Sequence, residues 1–166
     1  RTGFSDEDFS VMDGLIFFQK PENLADPDLF FRTFRLIAQR GLKLSPTAEH
    51  QLEQARPSLG GRLPRGSVLW RVLEEILPEL HAADALRTMH SLHLLTMFLP
   101  EFQGIDALAV RDVAHRFTVD EHTLQAIENL HALRQSKSKW DDRYAAILDE
   151  LDQPELLYLA ILLHDT

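Results

Sequence analysis

Hydrophobic and polar positions alternate in two short runs near the start of the chain and then settle into a 3.6-residue period for most of its length. Phe9-Ser10-Val11 and Leu15-Ile16-Phe17-Phe18 flank Met12-Asp13-Gly14, and an Asp-Gly pair between apolar runs predicts a β-hairpin over about residues 9 to 18. From Asp28, the residues Phe30, Phe34 and Ile37 recur at i, i+4 and i+7 while Arg32 and Arg35 fall elsewhere. This predicts an amphipathic helix with its phenylalanines in a core, closed by Gly41. Ser45 followed by Pro46 reads as an N-cap with proline at the first helical position, opening a helix to about Ala55 that ends before Pro57. Ser58 to Gly66, with three glycines and Pro64, reads as a loop. Ser67 is placed to cap a helix through Val68, Leu69, Val72, Leu73, Ile76 and Leu77 that stops near Pro78, and a further helix is predicted from about Ala82 to Met97.

Pro100-Glu101-Phe102-Gln103-Gly104 interrupts the period, so a boundary is expected between Pro100 and Arg111. Beyond it, Thr118 and Glu121 stand three apart ahead of Leu124, Ile127 and Leu130, the pattern of a capping box. His122 then falls in the first turn, with Ala126 and Leu130 on its face, which predicts an inward, apolar setting. Arg134 to Lys139 reads as a loop, Trp140 to about Leu151 as a helix, and Pro154 begins a last one that His164 and Asp165 end. The fold class is mainly α: seven or eight helices with one short N-terminal hairpin.

Composition narrows the chemistry. The 166 residues, 45% of them hydrophobic, suffice for one compact domain or two small ones. With no cysteine, thiolate catalysis, disulfides and cysteine zinc sites are excluded, and a reducing, cytoplasmic setting fits. A net charge of −9 disfavours general attraction to nucleic acid or to anionic lipid. The longest apolar stretches, such as Leu156 to Leu163, are too short to span a bilayer, and Arg1-Thr2-Gly3 is no signal peptide. A start at Arg1 without an initiator Met reads as a piece of something longer.

The candidate chemistry lies in Asp120-Glu121-His122 and in His164-Asp165, 42 residues further on, taking 164 minus 122. Two imidazoles and a carboxylate can share one divalent cation and leave other positions to water and substrate. His122, His164 and Asp165 are therefore the candidate metal ligands, with His164 and Asp165 the candidate catalytic pair and His115 a candidate group behind them. His50, His81 and His131 have charged or polar neighbours and read as solvated surface, whereas His90 and His93 read as packing residues on a helix.

The run Phe117-Thr118-Val119-Asp120-Glu121-His122-Thr123-Leu124, followed by Glu155-Leu156-Leu157-Tyr158-Leu159-Ala160-Ile161-Leu162-Leu163-His164-Asp165, resembles the HD domain of the bifunctional PII uridylyltransferase/uridylyl-removing enzymes. Leu86 to Leu92, Leu99 to Phe102 and Phe31 to Leu36 resemble the helical segment that joins that family's nucleotidyltransferase domain to its HD domain. The resemblance implies three parts: a leader and hairpin over 1–25, a bundle-like helical linker domain over 26–104, and the first helices of an all-α HD domain over 105–166. It also implies departures. Gly66-Ser67 is followed by Glu74-Glu75 rather than the Asp-x-Asp of nucleotidyl transfer, His93 stands where glycine is usual, and Thr166 stands where isoleucine is usual.

What the resemblance implies about function is metal-dependent phosphodiester hydrolysis, the removal of UMP from a uridylylated PII-type signal protein in nitrogen regulation. The cation would be manganese or magnesium first, zinc or iron next. Further His and Asp ligands normally follow the His-Asp helix, so with His122, His164 and Asp165 alone turnover is expected to be weak or absent. The alternative is a non-catalytic helical module in which Leu29 to Phe102 acts as a spacer or docking surface.

Overall fold

The Asp13-Gly14 turn, with φ of 50° and 79°, joins β1 (Phe9–Met12) to β2 (Leu15–Phe18) in an antiparallel hairpin that sets Phe9 opposite Phe18 and Met12 opposite Leu15. Successive positive φ values match the twist of the two strands, which is why Asp-Gly serves here. The computed structural model describes residues 7–104, 118–135 and 139–165. A two-residue strand that no period could reveal, β3 (Lys43–Leu44), lies parallel to β2 and places Leu44 beside Ile16, so the sheet order is β1-β2-β3.

Between β2 and β3 runs a 3-10 turn (Pro21–Ala25) and then α1 (Pro27–Arg40). Asp26 caps α1 by accepting from the Asp28 amide at 3.0 Å, and Gly41, at φ 64°, closes it by donating to the Ile37 carbonyl at 2.8 Å. Gly41 also makes room: a Cβ there would come within 2.8 Å of the His81 ring. The phenylalanines of α1 are core residues as expected, with Phe30 fully buried among Phe31, Phe34 and Phe98 at centroid distances of 4.9, 4.8 and 6.3 Å.

In α2 (Pro46–Gly60) the Ser45 hydroxyl accepts from the Ala48 amide at 3.1 Å, the expected cap. The helix does not end before Pro57 but runs through it to Gly60, which shortens the loop expected from Ser58. Proline removes one backbone bond, and the fully buried Leu59 holds the last turn against the core. α3 (Ser67–Ile76) is entered from Gly66 at φ 59°, so Gly66 and not Ser67 occupies the cap position, without a side-chain cap.

The single helix expected from Ala82 to Met97 is two: α4 (Ala82–Ser91) and α5 (Leu95–Phe98). His93 adopts φ 54° and donates its amide to the His90 carbonyl at 2.9 Å, while the Leu94 amide donates to the Met89 carbonyl at 2.8 Å. This pair of bonds is a Schellman ending, whose left-handed residue is ordinarily glycine. The break buries Leu92, Leu94 and Leu95 together and leaves His93 exposed rather than packed. His93→Gly is expected to raise stability by about 1 kcal/mol, because glycine takes left-handed φ without the Cβ clash. Chemical denaturation measures it, and a lowered midpoint would show that the imidazole makes compensating contacts.

After a 3-10 turn (Pro100–Gly104) the described chain resumes with α6 (Val119–Leu133), α7 (Lys139–Asp149) and α8 (Pro154–Leu163). Seven of the eight helices among the described residues, α1 to α6 and α8, contribute to one apolar core, which runs from Phe9 and Ile16 through Phe30, Leu52 and Leu86 to Leu124, Tyr158 and Leu162. α4 packs on α1 and on α6, and α6 packs in turn on α8, so the helices with the candidate ligands rest on the preceding helices through α4.

Candidate metal centre

The first turn of α6 is fixed by side chains that reach across to α4. Thr118 stands at the N-cap with extended backbone, but no side-chain cap forms and the expected capping box is absent. Glu121 instead takes Arg87, with Nε at 3.0 Å and Nη2 at 2.9 Å, and Arg87 also reaches Glu128 at 2.8 Å. Burial opposes the charge on Arg87, and the hydrogen bonds to Glu121 and Glu128 outweigh it and raise its pKa. Asp120 is buried and accepts from His90 Nε2 at 2.7 Å, and the His90 ring meets Phe102 edge to face. These partners turn Asp120, Thr123, Leu124, Ile127 and His131 inward. His122 therefore points outward and is exposed, not set among apolar neighbours as its i+4 companions suggested.

His131, expected on the surface, is buried. Its Nε2 donates to the Leu77 carbonyl at 3.0 Å, at the end of α3, and its ring stacks on Tyr158 of α8 with centroids 4.4 Å apart and planes 13° apart. His122 meets His164 at the opposite end, with ring centroids 6.1 Å apart. Passing from 122 to 131 along α6 thus means passing back from 164 to 158 along α8, so the helices run antiparallel.

At the open end of that pair, His122, His164 and Asp165 each offer one ligand atom, and the three atoms lie within 4.8 Å of one another. His164 Nδ1 donates to the Ile161 carbonyl at 2.6 Å, which leaves Nε2 with its lone pair 3.0 Å from Asp165 Oδ2. Two lone-pair atoms at that distance need a cation between them, a shared proton or a metal ion. Adjacent ligands of an octahedral cation bound at about 2.1 Å sit about 3.0 Å apart, so His164 and Asp165 already hold that spacing. The ligand atom of His122, on an exposed side chain, lies within 4.8 Å of both. A backbone carbonyl on the other ring nitrogen is the usual device for orienting a ligating imidazole. The residues present fit a divalent ion.

His115 lies outside the described residues. His50 is exposed, as expected, while His81 is half-buried, bonded to Asp84 at 3.3 Å. The sequence assigned no role to Arg87, Asp120 or the His131–Tyr158 stack, although Arg87, Asp120 and Tyr158 lie in the runs that carry the resemblance.

His131 gives a pH dependence. Burial pushes its imidazole below the usual range, the bond to Leu77 opposes this, Arg134 and His81 lower it further and Glu79 raises it. An unfolded histidine titrates near about pH 6.5. The unfolded chain therefore binds more protons below that point, so the contribution of His131 to stability is complete above about pH 6.5 and is lost as pH falls toward the folded value. The stability difference between about pH 7.5 and about pH 5.5, from chemical denaturation, is expected to shrink in His131→Leu. An unchanged difference would contradict the assignment.

No helix among the described residues is long and apolar enough to cross a membrane. No protein-family model matches the chain, and no solved structure matches it significantly. Several curated proteins do. The bifunctional uridylyltransferase/uridylyl-removing enzyme of Caulobacter vibrioides is 31% identical over 86% of this chain and 15% of its own length. The protein of the same name from Thiobacillus denitrificans is 32% identical over 96% of this chain and 19% of its own, and that from Ruegeria pomeroyi 30% identical over 95% and 18%. The chain thus spans less than a fifth of the length of these relatives. The chain belongs to the bifunctional uridylyltransferase/uridylyl-removing enzyme family.

Proposed function

We propose that His122, His164 and Asp165 bind one divalent cation and that this centre belongs to the uridylyl-removing activity, the hydrolysis of the phosphodiester that links UMP to a PII-type protein. The observation that carries the reading is the convergence of these three side chains, with His164 Nδ1 engaged by the Ile161 carbonyl and Nε2 turned to Asp165. Two nitrogen ligands and one carboxylate suit manganese, iron or zinc better than magnesium, which prefers oxygen.

When bound, such a cation supplies Lewis-acid polarisation of a phosphoryl oxygen and makes a coordinated water more acidic. The protein's own part is to hold geometry. The Ile161 carbonyl fixes the tautomer and rotation of His164, Asp165 contributes negative charge, and the Arg87–Glu121 and His90–Asp120 pairs hold the first turn of α6, from which His122 projects. All three ligand side chains are exposed, which leaves the site open to a substrate as large as a modified protein.

The test is release of UMP from a uridylylated PII protein with manganese supplied, by this chain and by a longer version that continues past Thr166. Metal-dependent release by at least one of them, lost in Asp165→Ala, is the expected result. Absence of release from both, with the PII protein still bound, would favour the helical module without catalysis.

A further inference from the structure

The sequence of α8, Pro-Glu-Leu-Leu-Tyr-Leu-Ala-Ile-Leu-Leu, is apolar on nearly every face. A helix of that kind carries no amphipathic stripe to tell it which side to bury. Leucines and isoleucines recur on each turn, so a slip of one turn, about 5.4 Å, or a rotation by one residue, would bury a similar amount of apolar surface. Hydrophobic burial alone therefore does not select the arrangement that carries His164 and Asp165 to His122. The register needs a specific contact, as a single polar residue fixes the register of a coiled coil at some cost in stability.

Tyr158 is the contact α8 has to offer. It and Leu162 are the residues of α8 that are fully buried, and Tyr158 is the one with a shaped, polar side chain. Its ring lies on His131 at 4.4 Å with planes 13° apart, and its hydroxyl oxygen is 3.1 Å from Nδ1. Near-parallel planes bring the hydroxyl to Nδ1 over the face of the imidazole rather than along its lone pair, so ring-on-ring contact is the larger part of the interaction. His131 is itself immobilised, because its Nε2–H donates to the Leu77 carbonyl at 3.0 Å, one of the carbonyls left open at the end of α3. The chain of contacts runs from α3 through His131 to Tyr158, and then along α8 to the two ligands at its end.

We infer that Tyr158 and His131 are positioning residues for the metal centre: their stack, anchored on the Leu77 carbonyl, selects the rotation and register of α8 on α6 that bring His164 and Asp165 to His122. The inference rests on the reading of those three side chains as metal ligands.

The experiment compares Tyr158→Leu, which removes ring and hydroxyl, with Tyr158→Phe, which keeps the ring, and with Leu52→Ala, a fully buried site on α2. Each is titrated with manganese by calorimetry and with cobalt by visible absorption, well below its melting transition by circular dichroism. Tyr158→Leu is expected to weaken manganese binding about tenfold and to alter the cobalt bands, while Tyr158→Phe stays within about threefold of the parent chain. Leu52→Ala is expected to melt early yet bind as the parent does. Parent-like affinity and bands in Tyr158→Leu would overturn the inference, as would an equal loss in Leu52→Ala. If the parent chain itself binds no metal, the metal reading fails, and nuclear Overhauser contacts between the His122 and His164 rings decide the register. Their loss in Tyr158→Leu alone supports the positioning role, and their persistence overturns it.

Discussion

Asp165→Ala is expected to lower the affinity for manganese by at least about a hundredfold, with His122→Ala close behind, since loss of a direct ligand exceeds the 10- to 100-fold penalty of losing a group behind one. Both residues are exposed, and neither holds a packed side chain in place. Substitutions at such positions usually change stability by less than about 0.5 kcal/mol. The circular dichroism melt should therefore remain at the parent's value while calorimetric binding disappears, which separates loss of a ligand from loss of fold. The carboxylate carries the larger share because it brings the only negative charge among the three ligands, and because its Oδ2 sits 3.0 Å from His164 Nε2. Chelation of the cation from the parent chain should reproduce the variant's behaviour. Two variants that bind manganese as the parent does would remove the centre from the molecule.

The elements that could be read from the sequence were those whose signals are local. The hairpin followed from Asp13-Gly14, and α1 followed from the stripe of Phe30, Phe34 and Ile37 and from Gly41 at its end, while its cap at Asp26 did not. The break between α4 and α5 could not be read, because Leu92, Leu94 and Leu95 continue an apolar run and a histidine occupies the left-handed position where a glycine would have announced it. Pro57 misled in the other direction. A proline usually ends a helix, and here the burial of Leu59 two residues later outweighs the lost bond.

The site divides in the same way. The identities of His122, His164 and Asp165 stood in the sequence, as did their convergence once the resemblance supplied it. Their environment did not. Which face of α6 turns inward is decided by His90 and Arg87, which lie 30 and 34 residues before their partners Asp120 and Glu121, and no period along α6 encodes partners on another helix. For the same reason His131 was misplaced on the surface: Leu130 and Ala132 beside it in sequence do not reveal that its neighbours in space are Leu77 and Tyr158.

Phe30→Ala is expected to cost about 3 to 5 kcal/mol, the range for emptying a fully buried aromatic site. Phe30 has no exposed surface and touches three other rings, Phe31, Phe34 and Phe98, so part of the loss is edge-to-face contact, each such pair contributing about 0.5 to 1.5 kcal/mol. Against a total stability of about 5 to 15 kcal/mol for an ordinary domain, this leaves the variant near its threshold at physiological temperature. The effect on the metal centre should be small while the chain remains folded. α1 packs on α3, α4 and the first 3-10 turn, and is linked to the helices that carry the ligands through α4 and through the Leu77–His131 contact at the end of α3. Chemical denaturation at low temperature measures the stability term, and manganese titration under the same conditions measures the coupling. A loss below about 1 kcal/mol would mean that Phe34 and Phe98 close over the gap, since the penalty depends on how far the site collapses. A marked loss of manganese affinity in the folded variant would instead show that core packing is transmitted to the ligands, through α4 or through the Leu77–His131 contact.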